Sequence, residues 1–377
     1  MERRGAATAV EVKASKELFK EIINAGLCSL CGGCSGSCPY LVSYKGRVIL
    51  MDNCNLADGQ CHEYCWRTYS DLDALNQKVF GVPYGESEMG VFKEVFLARS
   101  KDADIRKKAQ DGGTVTTLLT VALAEKMIDA VVETKLDADK RPHGFLARSK
   151  KEILECAGAS YEPSPVLETL NHLPKDSTDK LGFVGVPCQV SCLRKMQLNP
   201  PRNRVNVDNV KLVIGLFCGW TLAQGFHEFM KEHFDLSNAI KFDVPHSPFH
   251  TYDVYTESGK QSVELEDIRS YINTACSYCF DMTAEFADIS VGSGRTAFKG
   301  WNTVVVRNKT GAKLVEKAKA KGALETQAIP EESITNLKRA SLGKKKRTLE
   351  NLIALSGSKK DLGYLDVSQD FITRFLS

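Results

Sequence analysis

Thirteen cysteines in 377 residues are the groups here most able to do chemistry, and they fall into two sets. Cys28, Cys31, Cys34 and Cys38, followed by Pro39, spell C-x2-C-x2-C-x3-C-P. This is the run with which bacterial-type ferredoxins hold iron–sulfur clusters. Cys54, Cys61 and Cys65 follow closely, whereas Cys188, Cys218, Cys276 and Cys279 are scattered, the last two as C-x2-C. A cubane core needs four soft thiolates converging on a small volume. Two-residue gaps let backbone amides curl around the sulfurs, and Gly32, Gly33 and Gly36 permit close approach. A chain with both sets is expected to transfer single electrons.

In two-cluster ferredoxins the fourth cysteine of each run serves the other cluster. That rule assigns Cys28, Cys31, Cys34 and Cys65 to one cluster, and Cys38, Cys54 and Cys61 to a second. The second run is irregular. Counting back from Cys61, the missing cysteine falls at Asp58; Cys54 comes one residue early, and Trp66 replaces the usual proline. A carboxylate is a harder ligand than a thiolate. The second site is therefore a four-iron cluster with Asp58 as ligand, a three-iron cluster, or empty. Zinc sites pair two C-x2-C units across a longer gap, which overlapping gaps ending in Cys-Pro do not match.

The remaining composition is that of a soluble globular protein, with 43% hydrophobic and 26% charged residues and a formal net charge of +3. Near-neutrality gives no case for nucleic acid, and the basic run Lys344 to Arg347 is expected to be a solvated helix face. The first residues lack the apolar core of a secretory signal, and no apolar stretch approaches a membrane span. The expectation is a cytoplasmic protein, with peripheral docking on a membrane complex left open. In a reducing cytosol, ligation explains thirteen cysteines better than disulfides do.

Three regions must position these groups. Residues 1–80 form a ferredoxin-like module led in by an amphipathic helix over 15–25, and its inorganic cores substitute for a hydrophobic one. The Gly- and Pro-containing stretch 81–90 reads as a boundary. Residues 91–330 alternate strands and helices in an α/β (or α+β) domain. Strands are expected at 91–98, 128–133, 180–186, 210–217, 288–292 and 303–307, with further sheet segments at 239–244, 252–256 and 262–265. Helices are expected at 104–110, 114–127, 189–197, 223–233 and 311–321. Residues 331–377 are a helical polar tail.

Two glycine turns invite a cofactor. Gln110, Asp111, Gly112, Gly113 and Thr114 open an apolar helix, whose free amides and dipole suit phosphate. Locally, Asp111 acting as an ordinary N-cap explains the same residues. Gly292 to Ala297 matches a loose G-x-G-x-x-A after a strand, but Gly300-Trp301-Asn302 leads directly into another strand. A dinucleotide fingerprint requires a helix there, so a nicotinamide site is rejected and a flexible glycine loop remains.

Taken in order, LARSKDADIRKKAQDGGTVTTLLTVALAEKMIDAVV, LGFVGVPCQVSCLRKMQ, VIGLFCGW, ACSYCFDMTAEFADISVGS and GWNTVVVRNKTGAKL resemble the family of coenzyme F420 hydrogenase and dehydrogenase beta subunits. The added cysteine module looks most like the input subunit of the F420H2 dehydrogenase complex. The resemblance implies FAD in the α/β domain beside a [4Fe-4S] cluster held by Cys188, Cys218, Cys276 and Cys279. It places FAD against Gln110–Thr116, against Ala159–Ser164 with Ser160 and Tyr161, and against Pro187–Gln189. It implies coenzyme F420 as substrate and hydrogenase, dehydrogenase or membrane-complex subunits as redox partners. Two departures stand out: Ser160 replaces a lysine common in the family, and His246 and Pro248 stand where lysines are expected. Cys156 and Cys192 match no motif and read as structural. No side chain is nominated as catalytic. Ferredoxin as the donor, and a non-catalytic relay subunit, are the alternative readings.

Overall fold

The computed structural model describes residues 13–85, 87–199, 206–223, 225–245 and 249–376. Its centre is an eight-stranded mixed sheet. The strand order is Leu324–Ala328, Glu94–Ser100, Asn302–Val306, Ile289–Ser293, Val210–Leu216, Leu181–Gly185, Ala130–Leu136, Pro142–Ala147. The strands beginning at Ala130, Leu181, Val210 and Ile289 run parallel to their neighbours in this group. They read as near-continuous apolar runs because helices cover both faces. Alternate residues diverge: Ala130, Val132, Phe183 and Val213 enter one core, while Val131, Val184, Leu212 and Ile214 enter the other. The first core receives the helices Val166–His172 and Pro187–Leu198, and the second receives Thr114–Ala124 and Lys309–Ala320. A separate three-stranded antiparallel sheet, Ala239–Asp243, Thr251–Thr256 and Gly259–Glu264, packs with the helix Phe226–His233.

The expected strand–helix alternation is present, with boundaries moved by a few residues. Within the large sheet two strands have no counterpart in the pattern: Pro142–Ala147 and Leu324–Ala328, its outer strands. Edge strands face water along much of their length, so PHGFLA and LETQA carry neither an apolar run nor a clear alternation. The lead-in helix is α-helical only over Ser15–Leu18 and continues as a π-helix over Phe19–Ile23.

The cysteine module has a small apolar centre of Leu18, Ile22, Leu41 and Val48, against which Cys28, Cys34, Cys38 and Cys65 pack. Its later residues Tyr64, Trp66, Leu72 and Leu75 belong to the large core of the α/β domain. The stretch 81–90 is tied down: the Asn76 amide donates to the Val82 and Pro83 carbonyls at 2.9 Å each, and Met89 is buried.

The basic run contradicts the solvated-face expectation. The helix Glu331–Ser356 buries Leu337, Ser341, Lys344, Lys345, Thr348, Leu349 and Leu352. These positions repeat every three to four residues on one stripe, and a run of four basic residues spans a full turn, so part of it must face inward. Lys345 pairs with Glu285 with both side chains at most 1% exposed, and Tyr84 Oη donates to Glu285 Oε2 at 2.6 Å and accepts from Lys345 Nζ at 2.9 Å. The final helix, Gln369–Leu376, adds Phe371, Ile372 and Phe375 to the same core. Removing one partner of such a pair strands a buried charge. Lys345→Met is expected to cost about 3–5 kcal/mol. Most of this should return in Lys345→Met/Glu285→Leu, as read by denaturant unfolding of the two variants.

Candidate functional site

The carboxyl ends of the parallel strands lie at one edge of the sheet, the place where open α/β sheets form ligand crevices. Four sequence-predicted segments meet at or beside this edge. Gly113, with φ +74°, rather than Asp111, is the N-cap of the helix Thr114–Ala124, and it offers no side-chain cap. Asp111 instead lies within electrostatic reach of the Tyr161 hydroxyl. A Cβ on Gly112 would sit 2.8 Å from Asn302 Oδ1 and 2.9 Å from the Ala98 carbonyl, so this turn is glycine for packing as well. Asn302 Oδ1 accepts from Thr114 N at 3.1 Å.

Gln110 and Tyr161 are brought together: Gln110 Nε2 donates to Tyr161 Oη at 2.7 Å and to Asp243 Oδ1 at 2.9 Å. Lys241 Nζ donates to the Gln110 carbonyl at 2.6 Å. Lys241 was missed because nothing in a strand pattern marks one lysine as inward; His246 and Pro248 lie outside the described residues. Ser160 Oγ donates to the Glu162 carbonyl at 3.3 Å. Gln189, in the first turn after Pro187, joins two predicted segments by donating to the Ser164 carbonyl at 2.6 Å and accepting from Val186 N at 2.9 Å. Ser164 Oγ is buried without a hydrogen-bond partner among the described residues. Beyond the strand Ile289–Ser293 the glycine loop runs through a single 3-10 turn into Asn302–Val306, as expected once the nicotinamide site is rejected.

The cysteines assemble as three neighbouring groups. Charge on Cys28 would be felt by Cys31 and Cys65, and charge on Cys34 by Cys28, Cys65 and Cys31. Burial, with this repulsion, pushes the Cys28 thiol up to about 12 and the Cys65 thiol up to about 11. Cys61 is raised to about 12 by burial and then by Cys38 and Cys54. Asp58 is exposed on the loop between Cys54 and Cys61. Cys188 is raised by burial, Cys279, Cys31 and Cys218. Thr221 N donates to Cys276 Sγ at 3.4 Å, and the Cys279 thiol lies 3.5 Å from the Asp281 carbonyl. The first and third groups adjoin. Ser29 hydrogen-bonds both Cys31 and Cys188, and Thr274 Oγ1 donates to the Gly26 carbonyl at 2.8 Å. Arg67 spans them, donating to the Tyr278 and Ala275 carbonyls while lying 4.0 Å from the Trp66 ring centroid.

Among the described residues no three Cys, His, Asp or Glu side chains converge as ligands of a single metal ion do. In a cubane each thiolate binds a different iron, so the sulfurs stand farther apart than around one ion. Burial and mutual repulsion hold Cys28, Cys61 and Cys65 as neutral thiols, which would ionise around a cationic core, and the donor set suits iron and sulfide. Cys192, read as structural, packs beside the first group: its sulfur hydrogen-bonds Cys31 and adjoins Cys65 and Cys34, and a Cβ on Gly33 would collide with it. Four residues after Cys188 on one helix, it reaches the neighbouring group by helical spacing alone.

A groove of about 440 Å³ lies between the hairpin Leu41–Leu50 and the α/β domain, lined by Lys45, Arg47, Arg141, His143, Glu162 and His227, with Glu168 and Glu228 also in its wall. His227 Nδ1 meets Glu162 Oε1 at 3.1 Å, and its Nε2 is buried without a partner among the described residues. Glu133 is 5% exposed, and burial on its strand pushes its carboxyl from 4.5 up to about 8, partly offset by a hydrogen bond with Cys156. A carboxyl raised on folding contributes stability that is complete below pH 4.5 and lost as pH rises to about 8. Glu133→Gln should flatten this decline and melt above wild type at pH 8, as thermal midpoints measured across that range will show.

Mixed α/β architecture and a cysteine-lined sheet edge define the class as a redox protein, and sequence comparison supplies the family. The profile for the N-terminal part of the coenzyme F420 hydrogenase/dehydrogenase beta subunit matches residues 95–171, and its C-terminal counterpart matches residues 178–332. The chain belongs to the family of coenzyme F420 hydrogenase/dehydrogenase beta subunits. It is 33% identical to the beta subunit of coenzyme F420 hydrogenase from Methanothermobacter thermautotrophicus, over 73% of this chain and 98% of the relative. It is 30% identical to an F(420)H(2) dehydrogenase component of Methanosarcina mazei, over 78% of this chain and 82% of the relative. A chain of the F420-reducing [NiFe] hydrogenase complex from Methanosarcina barkeri superposes with a TM-score of 0.63 at 31% identity, covering 71% of this chain and 94% of that one. Among the described residues no helix is long and apolar enough to cross a membrane.

Proposed function

We propose that this chain is an FAD- and iron–sulfur-containing oxidoreductase subunit that passes electrons between reduced coenzyme F420 and a one-electron redox partner. The observation that carries the proposal is the contiguity of the three cysteine groups, beginning at the sheet edge and ending at the surface. Cys188, Cys218, Cys276 and Cys279 would hold the first cluster, at the end of strands 181–185 and 210–216. Cys28, Cys31, Cys34 and Cys65 would hold the next, in reach through Cys31 and Cys188. Cys38, Cys54 and Cys61, with or without Asp58, would hold the last, in reach through Cys34 and Cys61. Tyr40, Met51 and Leu56 are exposed around this end, where a partner would collect electrons.

FAD, when bound, accepts a hydride and hands on its two electrons singly, and clusters carry one each. The chain's own residues do the placing. Gly113 puts no side-chain cap on the helix Thr114–Ala124, so with the Thr114 amide taken by Asn302 the next first-turn amides can face a phosphate, while Gln110, Tyr161 and Lys241 build a hydrogen-bonding wall and Ser164 offers a hydroxyl unpaired among the described residues. The groove fits a small molecule in size, and Lys45, Arg47 and Arg141 at its rim suit a coenzyme with phosphate and carboxylates. Family relatives with differing named reactions, among them a coenzyme F420-dependent sulfite reductase of Methanocaldococcus jannaschii, fit a common electron-input part joined to different partners.

Anaerobically purified protein should release FAD on denaturation and carry about twelve irons, or about eight if the Asp58 site is empty. Cys279→Ala should lose about four irons while its flavin is still bleached by reduced coenzyme F420. Absence of flavin would exclude both enzyme readings and leave a relay subunit. Flavin bleached by reduced ferredoxin but never by reduced coenzyme F420 would make ferredoxin the donor.

A further inference from the structure

Among the described residues, two buried lysines have no carboxylate hydrogen-bonded to them, and each donates to the backbone of a cysteine. Lys344, from the helix Glu331–Ser356, is 6% exposed and donates from Nζ to the Cys218 carbonyl at 2.8 Å. Lys195, from the helix Pro187–Leu198, is also 6% exposed and donates to the Cys65 carbonyl at 2.7 Å and to Thr68 Oγ1 at 3.2 Å. One falls on each four-cysteine group. The neighbouring Lys345 shows the ordinary solution, since it is neutralised by Glu285. A desolvated ammonium is costly unless negative charge stands near it. Near Lys344 the charged groups are Cys279, Cys218, Cys276 and the Asp281 carboxylate, and near Lys195 they are Cys65, Cys192 and Glu63. Asp281 is itself occupied in accepting from Thr283 N and Glu285 N. The family profile ends at residue 332, so Lys344 lies beyond the family-matched region.

We propose that Lys344 and Lys195 are positioning cations that set the reduction potentials of the two four-cysteine clusters, each by a positive charge held at the backbone of a ligand cysteine. A thiolate-bound cluster is net negative, and taking up one electron adds a further negative charge. A nearby buried cation stabilises the reduced form more than the oxidised one and raises the potential. The inference rests on the cluster reading above.

The test is a dithionite redox titration of the whole protein, followed by electron paramagnetic resonance, in wild type, Lys344→Gln, Lys195→Gln, Lys344→Arg and Arg347→Gln. Each glutamine variant should keep its iron and lower the midpoint of its own cluster by about 59 mV, a tenfold change in the reduced-to-oxidised ratio of a one-electron couple. Lys344→Arg keeps the charge and should stay near wild type, as should Arg347→Gln, which removes a charge from the same helix away from its buried stripe. Asp281→Asn removes the anion beside Lys344 and should raise the midpoint, so the test survives a glutamine variant that fails to assemble. Intact clusters with unmoved midpoints would overturn the inference and leave both lysines as structural pins. Absence of cluster signals from the wild type would instead overturn the cluster reading itself.

Discussion

Sulfurs buried against one another impose the constraint around which this molecule is arranged. Cys28, Cys31, Cys34, Cys65, Cys188, Cys218, Cys276 and Cys279 sit within two adjoining groups. Out of water each sulfur opposes ionisation of the next, so thiolate ligation as proposed needs positive charge and amide donors, and the protein supplies them. It does so from every direction: Lys195 and Lys344 from two helices, Arg67 between the groups, and the Thr221 amide at Cys276. Elements far apart in the chain are committed to the same small volume.

That commitment explains why the cysteine module does not behave as an appended bead. Gly32, with φ +87°, packs against the Pro165 carbonyl so closely that a Cβ would lie 2.5 Å from it, and Asn171 Nδ2 donates to the Gly32, Gly33 and Ser35 carbonyls. Trp66, standing where proline is usual, is 1% exposed and packs edge-on against Tyr364 from the C-terminal region. In the proposed relay, where transfer falls off steeply with distance, a module docked on these hydrogen bonds holds its separation from the sheet edge.

The sheet edge shows a division of labour. Its glycines are dictated by close packing as much as by any ligand, as Gly112 against Asn302 shows. Its polar side chains are cross-braced: Gln189 ties 164 to 186, and Gln110 ties 161 to 243. Segments that share no local signal are joined by single amide side chains, so the crevice is shaped before anything binds in it.

Which cysteines lie together was legible in the sequence wherever it depends on spacing. The C-x2-C-x2-C-x3-C-P run, the rule that lends Cys65 to the first group, and the apolar runs of the central strands are local patterns set by backbone geometry. The partition into Cys28, Cys31, Cys34 and Cys65 against Cys38, Cys54 and Cys61 could be written from order alone. Tertiary structure decided the rest, because burial and charge pairing are properties of what packs on an element. Nothing in KKKR shows that Lys344 and Lys345 point into the core or that Lys345 pairs with Glu285 while Lys344 reaches the Cys218 carbonyl. Nothing in SCLRKMQ shows that Cys192 and Lys195 turn toward residues more than a hundred positions away. Spacing states which sulfurs can share a cluster; only the packed chain states which cations stand beside them.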